Sequence, residues 1–128
     1  MARNSNNEEG LSKSLGIVAN VYSRMGNYPK AMELYLEKLK LEESGKNPRN
    51  LASVLLNIGI VYSFQQDYSE ALGYYKKADN IISANKIKEM VHYVNINLGD
   101  IYEKLKKIDR AQYYYNLTYQ NAIQTQNI

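Results

Sequence analysis

The chain has 128 residues, of which 45% are apolar and 23% charged, a composition typical of one globular domain with an apolar core. Sixteen basic and thirteen acidic residues give a net charge of +3, far below the excess of a domain that coats nucleic acid. The chain has no cysteine and one histidine, which excludes disulfides, thiolate metal sites and cysteine nucleophiles. We therefore expect neither a metal nor a cofactor.

The N-terminal segment is polar. Residues 1–10 lack the apolar stretch of a signal peptide, and no apolar run in the chain approaches the ~20 residues that cross a bilayer. We predict a flexible lead-in over residues 1–10, a single domain over residues 11–128, no membrane segment and a cytoplasmic location.

Helix boundaries are marked clearly in the first third of the chain. Gly26 is typical of a helix end, Asn27 can cap the next helix, and Pro29 falls in its first turn, where a missing N–H is harmless. Asn47 and Pro48 repeat this signal further along. The pattern predicts a helical hairpin followed by the start of a third helix.

The middle of the chain carries two apolar stripes with helical spacing. The first stripe consists of Leu55, Ile58, Gly59 and Tyr62. The second consists of Tyr68, Ala71, Leu72, Tyr75 and Ala78. Asp67 and Glu70 give the second helix a capping signal. Lys106 and Lys107 stand at the corresponding turn of the last third, which leaves that boundary the least defined.

The sequence repeats with a period of forty residues and without gaps, and this repeat is the strongest signal in the chain. It predicts three units of two helices each, at about residues 12–51, 52–91 and 92–128. The aligned columns are Tyr22, Tyr62 and Tyr102; Tyr35, Tyr75 and Tyr115; Ala19, Gly59 and Gly99; and Ala31, Ala71 and Ala111. We expect the two small columns to face each other, so that the paired helices approach closely.

These columns resemble the tetratricopeptide repeat, whose unit carries W-x₂-L-G-x₂-Y and, after a turn, Y-x₂-A-x₃-F/Y-x₂-A. The first unit departs at Lys38, which stands where the second small residue of the motif is expected, and the third departs at Asn95, Ile108 and Thr118. The forty-residue unit is similar to the longer subclass of the family. The resemblance implies an all-α solenoid of three helix-turn-helix hairpins that form a right-handed superhelix without enzymatic activity.

The resemblance also implies a concave groove, lined by the first helix of each hairpin, in which family members bind peptides. Asn20, Asn57 and Asn97 could hold a peptide backbone there, because an amide side chain both donates and accepts hydrogen bonds. Gly16, Tyr93 and Asn97 occupy the basic positions of the clamp that binds chaperone C-terminal tails, so we expect no such recognition. The predicted groove residues are Lys13, Asn20, Arg24, Asn57, Phe64, Tyr93, Asn97, Asp100 and Lys104.

The predicted function is a non-enzymatic protein-interaction module that holds a peptide or a partner helix and belongs to a larger signalling or scaffolding protein. One alternative is homo-oligomer assembly through the solenoid ends, and another is RNA binding on a helical surface that carries lysine pairs such as Lys76-Lys77. Phe64 either anchors a ligand or packs against the neighbouring hairpin. His92 has no catalytic partner at a telling spacing, so we expect a surface or packing role for it.

The last predicted helix could lack a neighbour on one side. Its apolar residues Tyr114, Leu117 and Ala122 would then remain uncovered, since terminal helices of a solenoid need a polar outer face. We therefore predict either a fragment of a longer array or weak self-association through this helix.

Overall fold

The computed structural model describes residues 5–126, and the side chains of residues 7–124. All regular structure in that range is α-helical, and consecutive helices pair into three hairpins, which confirms the predicted α-solenoid. The helices are α1 (Ser5–Arg24), α2 (Tyr28–Ser44), α3 (Pro48–Phe64), α4 (Tyr68–Ala84), α5 (Lys88–Lys104) and α6 (Ile108–Gln126). None of them is both long enough and apolar enough to cross a membrane.

Helix boundaries follow the forty-residue period of the sequence, because equivalent first helices end, and equivalent second helices begin, forty residues apart. Helix α1 is longer than its equivalents and begins at Ser5, inside the segment predicted as a flexible lead-in. Glu8 lies in its first turn, where a negative charge interacts favourably with the helix dipole. Residues 5–10 therefore extend the first helix, and residues 1–4 lie outside the described range.

The two predicted asparagine caps are confirmed. The side chain of Asn27 accepts a hydrogen bond from the backbone N–H of Lys30 at 3.3 Å, and that of Asn47 accepts one from Asn50 at 3.0 Å. A proline follows each cap in the first helical turn. Asp67 occupies the predicted cap position of α4, but its side chain makes no capping hydrogen bond.

The turns inside the three hairpins share one conformation despite different sequences. Gly26, Gln66 and Lys106 stand at equivalent positions with φ of 81°, 66° and 65°. Only glycine adopts this left-handed region without cost, and other residues lose about 1–2 kcal/mol there. The packing of the hairpins therefore imposes the turn at Lys106, which the local sequence leaves undefined.

Successive hairpins are joined by two apolar clusters. In the first, Val54, Ile58 and Val61 of α3 are buried together with Ala31 and Tyr35 of α2. In the second, residues of α5 are buried together with residues of α4. The principal members of the second cluster are Val94, Leu98, Ile101, Ala71, Tyr75, Ala78 and Ile82.

The glycines of the first helices have a second partner besides the predicted alanine. A Cβ atom added at Gly59 would lie 3.3 Å from the carbonyl oxygen of Ala71, as close approach of the two small residues requires, but only 2.5 Å from Cε1 of Tyr75. At Gly99 the added atom would lie 2.6 Å from Cε1 of Tyr115. These glycines therefore make room mainly for a tyrosine ring, which shares one helix face with the alanine, one turn away.

A buried polar cluster replaces apolar packing inside the first hairpin. Lys38 Nζ donates hydrogen bonds to the Ser12 carbonyl oxygen at 2.9 Å and to its hydroxyl at 3.0 Å, and the Ser12 hydroxyl donates to Glu42 at 2.7 Å. Gly16 leaves room for the lysine stem, since an added Cβ would lie 3.3 Å from Lys38 Cε. The equivalent residues of the second hairpin are all buried and apolar: Ala52, Ala78, Ile82 and Leu56.

The tyrosine packing predicts that Gly59→Ala destabilises the fold. Overpacking costs about 1–3 kcal/mol, and the better helix propensity of alanine returns up to about 1 kcal/mol. The first hairpin places Ala19 at this position with Tyr35 still buried, so we expect a net loss near the lower end. Urea denaturation followed by circular dichroism measures it. Gly73→Ala is the matched control: nothing lies within 4 Å of its added Cβ, and it should stabilise. Equal shifts for both variants would contradict the packing.

The polar cluster predicts non-additive effects on stability. Lys38→Met leaves the Glu42 carboxylate largely buried without its cation, which should cost about 1–3 kcal/mol of unfolding free energy. Replacing all four residues by their second-hairpin equivalents (S12A, G16L, K38A and E42I) should return stability to within about 1 kcal/mol of the wild type. An unchanged Lys38→Met variant would show that the cluster contributes nothing.

Candidate functional site

The predicted groove residues lie on the first helices of the three hairpins, α1, α3 and α5. Helix α3 contacts α5 directly, and no two second helices in the described residues contact each other to the same extent. This contact brings the second and third segments of the predicted groove together.

All nine predicted groove residues have solvent-accessible side chains. Those of α1 and the ends of the other two helices are exposed, namely Lys13, Asn20, Arg24, Phe64, Tyr93 and Lys104. Those near the middle of α3 and α5 are half-buried, namely Asn57, Asn97 and Asp100. The groove thus has a polar, partly enclosed centre and more exposed ends.

Asn57 and Asn97 stand near the centre of the predicted groove and are half-buried. They stand at equivalent positions of α3 and α5, forty residues apart. Neither amide has a hydrogen-bond partner among the described side chains of residues 7–124, and no buried side-chain polar atom there is left unsatisfied, so both amides remain open to solvent. Two equivalent amides on neighbouring helices are therefore free to bind a ligand.

Asn20 differs from these two asparagines. Its side-chain oxygen accepts a hydrogen bond from the hydroxyl of Tyr35, whose ring is buried. The interaction fixes the asparagine and occupies its main acceptor. Sequence reasoning grouped Asn20 with Asn57 and Asn97, but the structure gives it a role in holding the hairpin as well.

Sequence reasoning missed the interactions of two tyrosines with acidic residues of α5. The Tyr115 hydroxyl donates to Oε1 of Glu103 at 3.0 Å, and the buried Tyr75 interacts electrostatically with Asp100. Burial raises the pKa of Tyr75 well above its usual range, and burial together with the Glu103 hydrogen bond raises the pKa of Tyr115 to about 12. The sequence signal for these interactions was the repeated column of Tyr35, Tyr75 and Tyr115, which was considered only as part of the helix packing.

Phe64 packs against the neighbouring hairpin, which is one of its two predicted roles. Its ring stacks on Tyr28 of the preceding hairpin with 5.6 Å between centroids, yet it remains 55% exposed. The equivalent residue of the next unit is Lys104, whose ammonium lies 5.7 Å from the ring of Tyr68. The same position therefore covers the aromatic residue of the hairpin before it, through stacking in one case and a cation–π contact in the other.

The charges of the groove are distributed unevenly. Lys13 and Arg24 make the α1 side basic, and no ion pair within the described part of the chain is formed by either. On the α5 side, Lys104 pairs with Asp100 at 3.2 Å and lies 3.4 Å from the Ser63 hydroxyl. Exposed pairs of this kind contribute little to stability, so Asp100 and Lys104 can exchange their partner for a ligand.

Lys13 also borders a second concavity, at the end of the first hairpin remote from its turn. The cavity has a volume of about 800 Å³ and is lined by the N-terminal part of α1, the end of α2 and the start of α3. Lys38 and Glu42 form part of its wall, but both are engaged with Ser12.

His92 lies beside the groove rather than in a catalytic arrangement. It is exposed, and its ring meets that of Tyr93 edge-on, with 5.9 Å between centroids. Within residues 5–126, no three histidine or acidic side chains come close enough to hold a metal ion.

Known structures with the same fold come from different kinds of protein. The chain is similar to the TPR domain of Arabidopsis FLU (TM-score 0.86, 18% identity), with 91% of this chain and 98% of that one covered. It is also similar to BtubC from P. vanneervenii (TM-score 0.78, 23% identity), with 92% of this chain and 49% of that one covered. The chain is also similar to aspartyl phosphate phosphatase F from Bacillus subtilis, with a TM-score of 0.86 and 21% identity. That match covers 98% of this chain and 33% of the phosphatase chain. These likenesses show the fold alone.

Sequence comparison gives the family directly. A tetratricopeptide repeat profile matches residues 10–81, more than half of the chain, and a second one matches residues 92–117. No curated protein sequence is significantly similar to the chain. The matched ranges include residues of all three hairpins. The chain belongs to the tetratricopeptide repeat family, whose stacked hairpins form protein-interaction modules.

Proposed function

We propose that the concave groove binds a peptide segment of a partner protein, with the amides of Asn57 and Asn97 on the peptide backbone. The supporting observation is that these equivalent side chains are half-buried, adjacent along the groove and without a partner in the described residues. An amide that donates and accepts can pair with a backbone N–H and C=O at once. Such pairing holds a peptide largely independently of its side chains.

Apolar contacts at the two ends of the groove add affinity and select side chains. Phe64 is 55% exposed, Tyr93 63% and Ile96 39%, although they lie on the inner helices. Exposed aromatic residues on a concave surface are common anchors in protein interfaces. The proposed ligand therefore carries apolar residues that contact these side chains.

The uneven charge of the groove favours one direction of the bound peptide. An acidic segment of the ligand would lie along α1, beside Lys13 and Arg24, and a basic one near Asp100. The clamp for a chaperone C-terminal carboxylate lacks its cations here, since Gly16 and Tyr93 occupy two of those positions. The proposed ligand is thus an internal segment, and the module serves a larger signalling or scaffolding protein.

Peptide selection tests this proposal. A random peptide library selected on the wild-type chain should yield binders, and fluorescence anisotropy with one synthetic binder gives the affinity. Asn57→Ala and Asn97→Ala should each weaken binding about 3- to 10-fold, the value of one hydrogen bond. Asn80→Ala, an exposed asparagine of α4, is the matched control and should bind as the wild type does.

Two results would contradict the proposal. One is a library that yields no binder above background. The other is a selected peptide whose affinity is the same for the wild type, Asn57→Ala and Asn97→Ala. Circular dichroism of each variant shows whether a change in affinity reflects the groove or the fold.

A further inference from the structure

The two ends of the described solenoid present the two halves of one interface. Val18 and Val21 of α1 are 44% and 50% exposed. Their equivalents in the second unit, Ile58 and Val61, are 0% and 1% exposed because the preceding hairpin covers them. Leu11, Val18 and Val21 are hereafter the N-terminal face. The counterparts of Val18 and Val21 on α5, Leu98 and Ile101, are both fully buried.

The opposite end shows the reverse pattern. Tyr115 is 37% exposed, whereas the equivalent Tyr35 and Tyr75 are each 2% exposed beneath the next hairpin. Ile108 is 59% exposed. It is equivalent to Tyr28 of the first hairpin, which Phe64 of the next hairpin covers. Ile108, Tyr115 and Ala122 are hereafter the C-terminal face.

Not all of α6 is uncovered. Tyr114 stacks on Tyr102 with 5.7 Å between centroids and is half-buried, as is Leu117. Of the three residues predicted to lack a neighbour, only Ala122 is exposed. The uncovered surface is therefore the one that continues the stacking direction.

We propose that a second copy of this chain docks its N-terminal face on the C-terminal face, continuing the repeat across the junction. The contact would reproduce the geometry by which α3 packs on α2 and α5 on α4. Stacking of repeats depends on nearest-neighbour interfaces, so an unpaired face of the same register accepts a further repeat. This surface adjoins the peptide groove, because Arg24 belongs to the predicted groove and also lies at the proposed junction.

Charge supports a second copy as the occupant. At the junction of the second and third hairpins, Lys104 Nζ lies 3.4 Å from the Ser63 hydroxyl. At the proposed junction, Arg24 of the second copy takes the position that Lys104 has inside the chain. Glu103 of the first copy takes the position of Ser63. A weak polar contact inside the chain thus becomes an opposite-charge contact between chains.

One charge opposes the contact and keeps it weak. Arg49 forms an ion pair with Glu89, forty residues on. In the proposed contact, Glu9 of the second copy would approach Glu89, a like-charge neighbour. We therefore expect association at high protein concentration only. A head-to-tail contact of this kind leaves one free face at each end, so it forms chains of copies rather than closed dimers.

Sedimentation velocity with the full chain tests the contact. Between about 10 µM and about 1 mM, the range in which weak protein contacts dissociate, the wild-type sedimentation coefficient should rise with concentration. Val18→Glu on one face and Ile108→Glu on the other should each remain monomeric. Ile17→Glu, a neighbouring β-branched residue of α1 that is 57% exposed, is the matched control and should associate as the wild type does.

Mixing the two face variants distinguishes this contact from a symmetric one. Val18→Glu retains a C-terminal face and Ile108→Glu retains an N-terminal face, so an equimolar mixture should form dimers and nothing larger. A monomeric wild type, association of Val18→Glu equal to that of the wild type, or a mixture that stays monomeric would each overturn the proposal. Leu11→Glu replaces Val18→Glu if circular dichroism shows that the latter is unfolded.

Discussion

The contact between successive hairpins is the interaction on which the rest of this structure depends. A single helical hairpin cannot bury both of its apolar sides, so Ile58 and Leu98 become fully buried only when another hairpin covers them. Burying a side chain of this size is worth about 1.5–3 kcal/mol. That gain is large enough to impose the left-handed turn at Gln66 and Lys106, where the local sequence has no preference for it.

The same packing also positions the helices that carry the predicted groove. The ring of Tyr75 crosses to the first helix of its hairpin, where the absence of a side chain at Gly59 leaves room for it. Helix α3, which carries Asn57, also contacts α5, which carries Asn97. The residues that hold a hairpin together thus also fix the spacing of the side chains proposed to bind a ligand.

Within this common frame, equivalent positions take on different chemistry. Phe64 covers an aromatic ring by stacking, and Lys104 covers the equivalent ring through its charge. Lys38 stands where the motif expects a small residue, and it is accommodated because Gly16 opposite it lacks a side chain. The repeat fixes the backbone positions, and compensating pairs of residues decide what fills the space between them.

The sequence by itself determined the caps at Asn27 and Asn47, because a cap depends on residues within one helical turn. It also determined the number of hairpins and their period, because the same residue types recur every forty residues. It also placed Asn57 and Asn97 at equivalent positions. Only the tertiary structure decided that Tyr75 rather than Ala71 fills the space at Gly59, and that Tyr35 occupies the amide of Asn20. These contacts join residues on different helices, and their distances depend on how closely the helices pack, which no local pattern specifies.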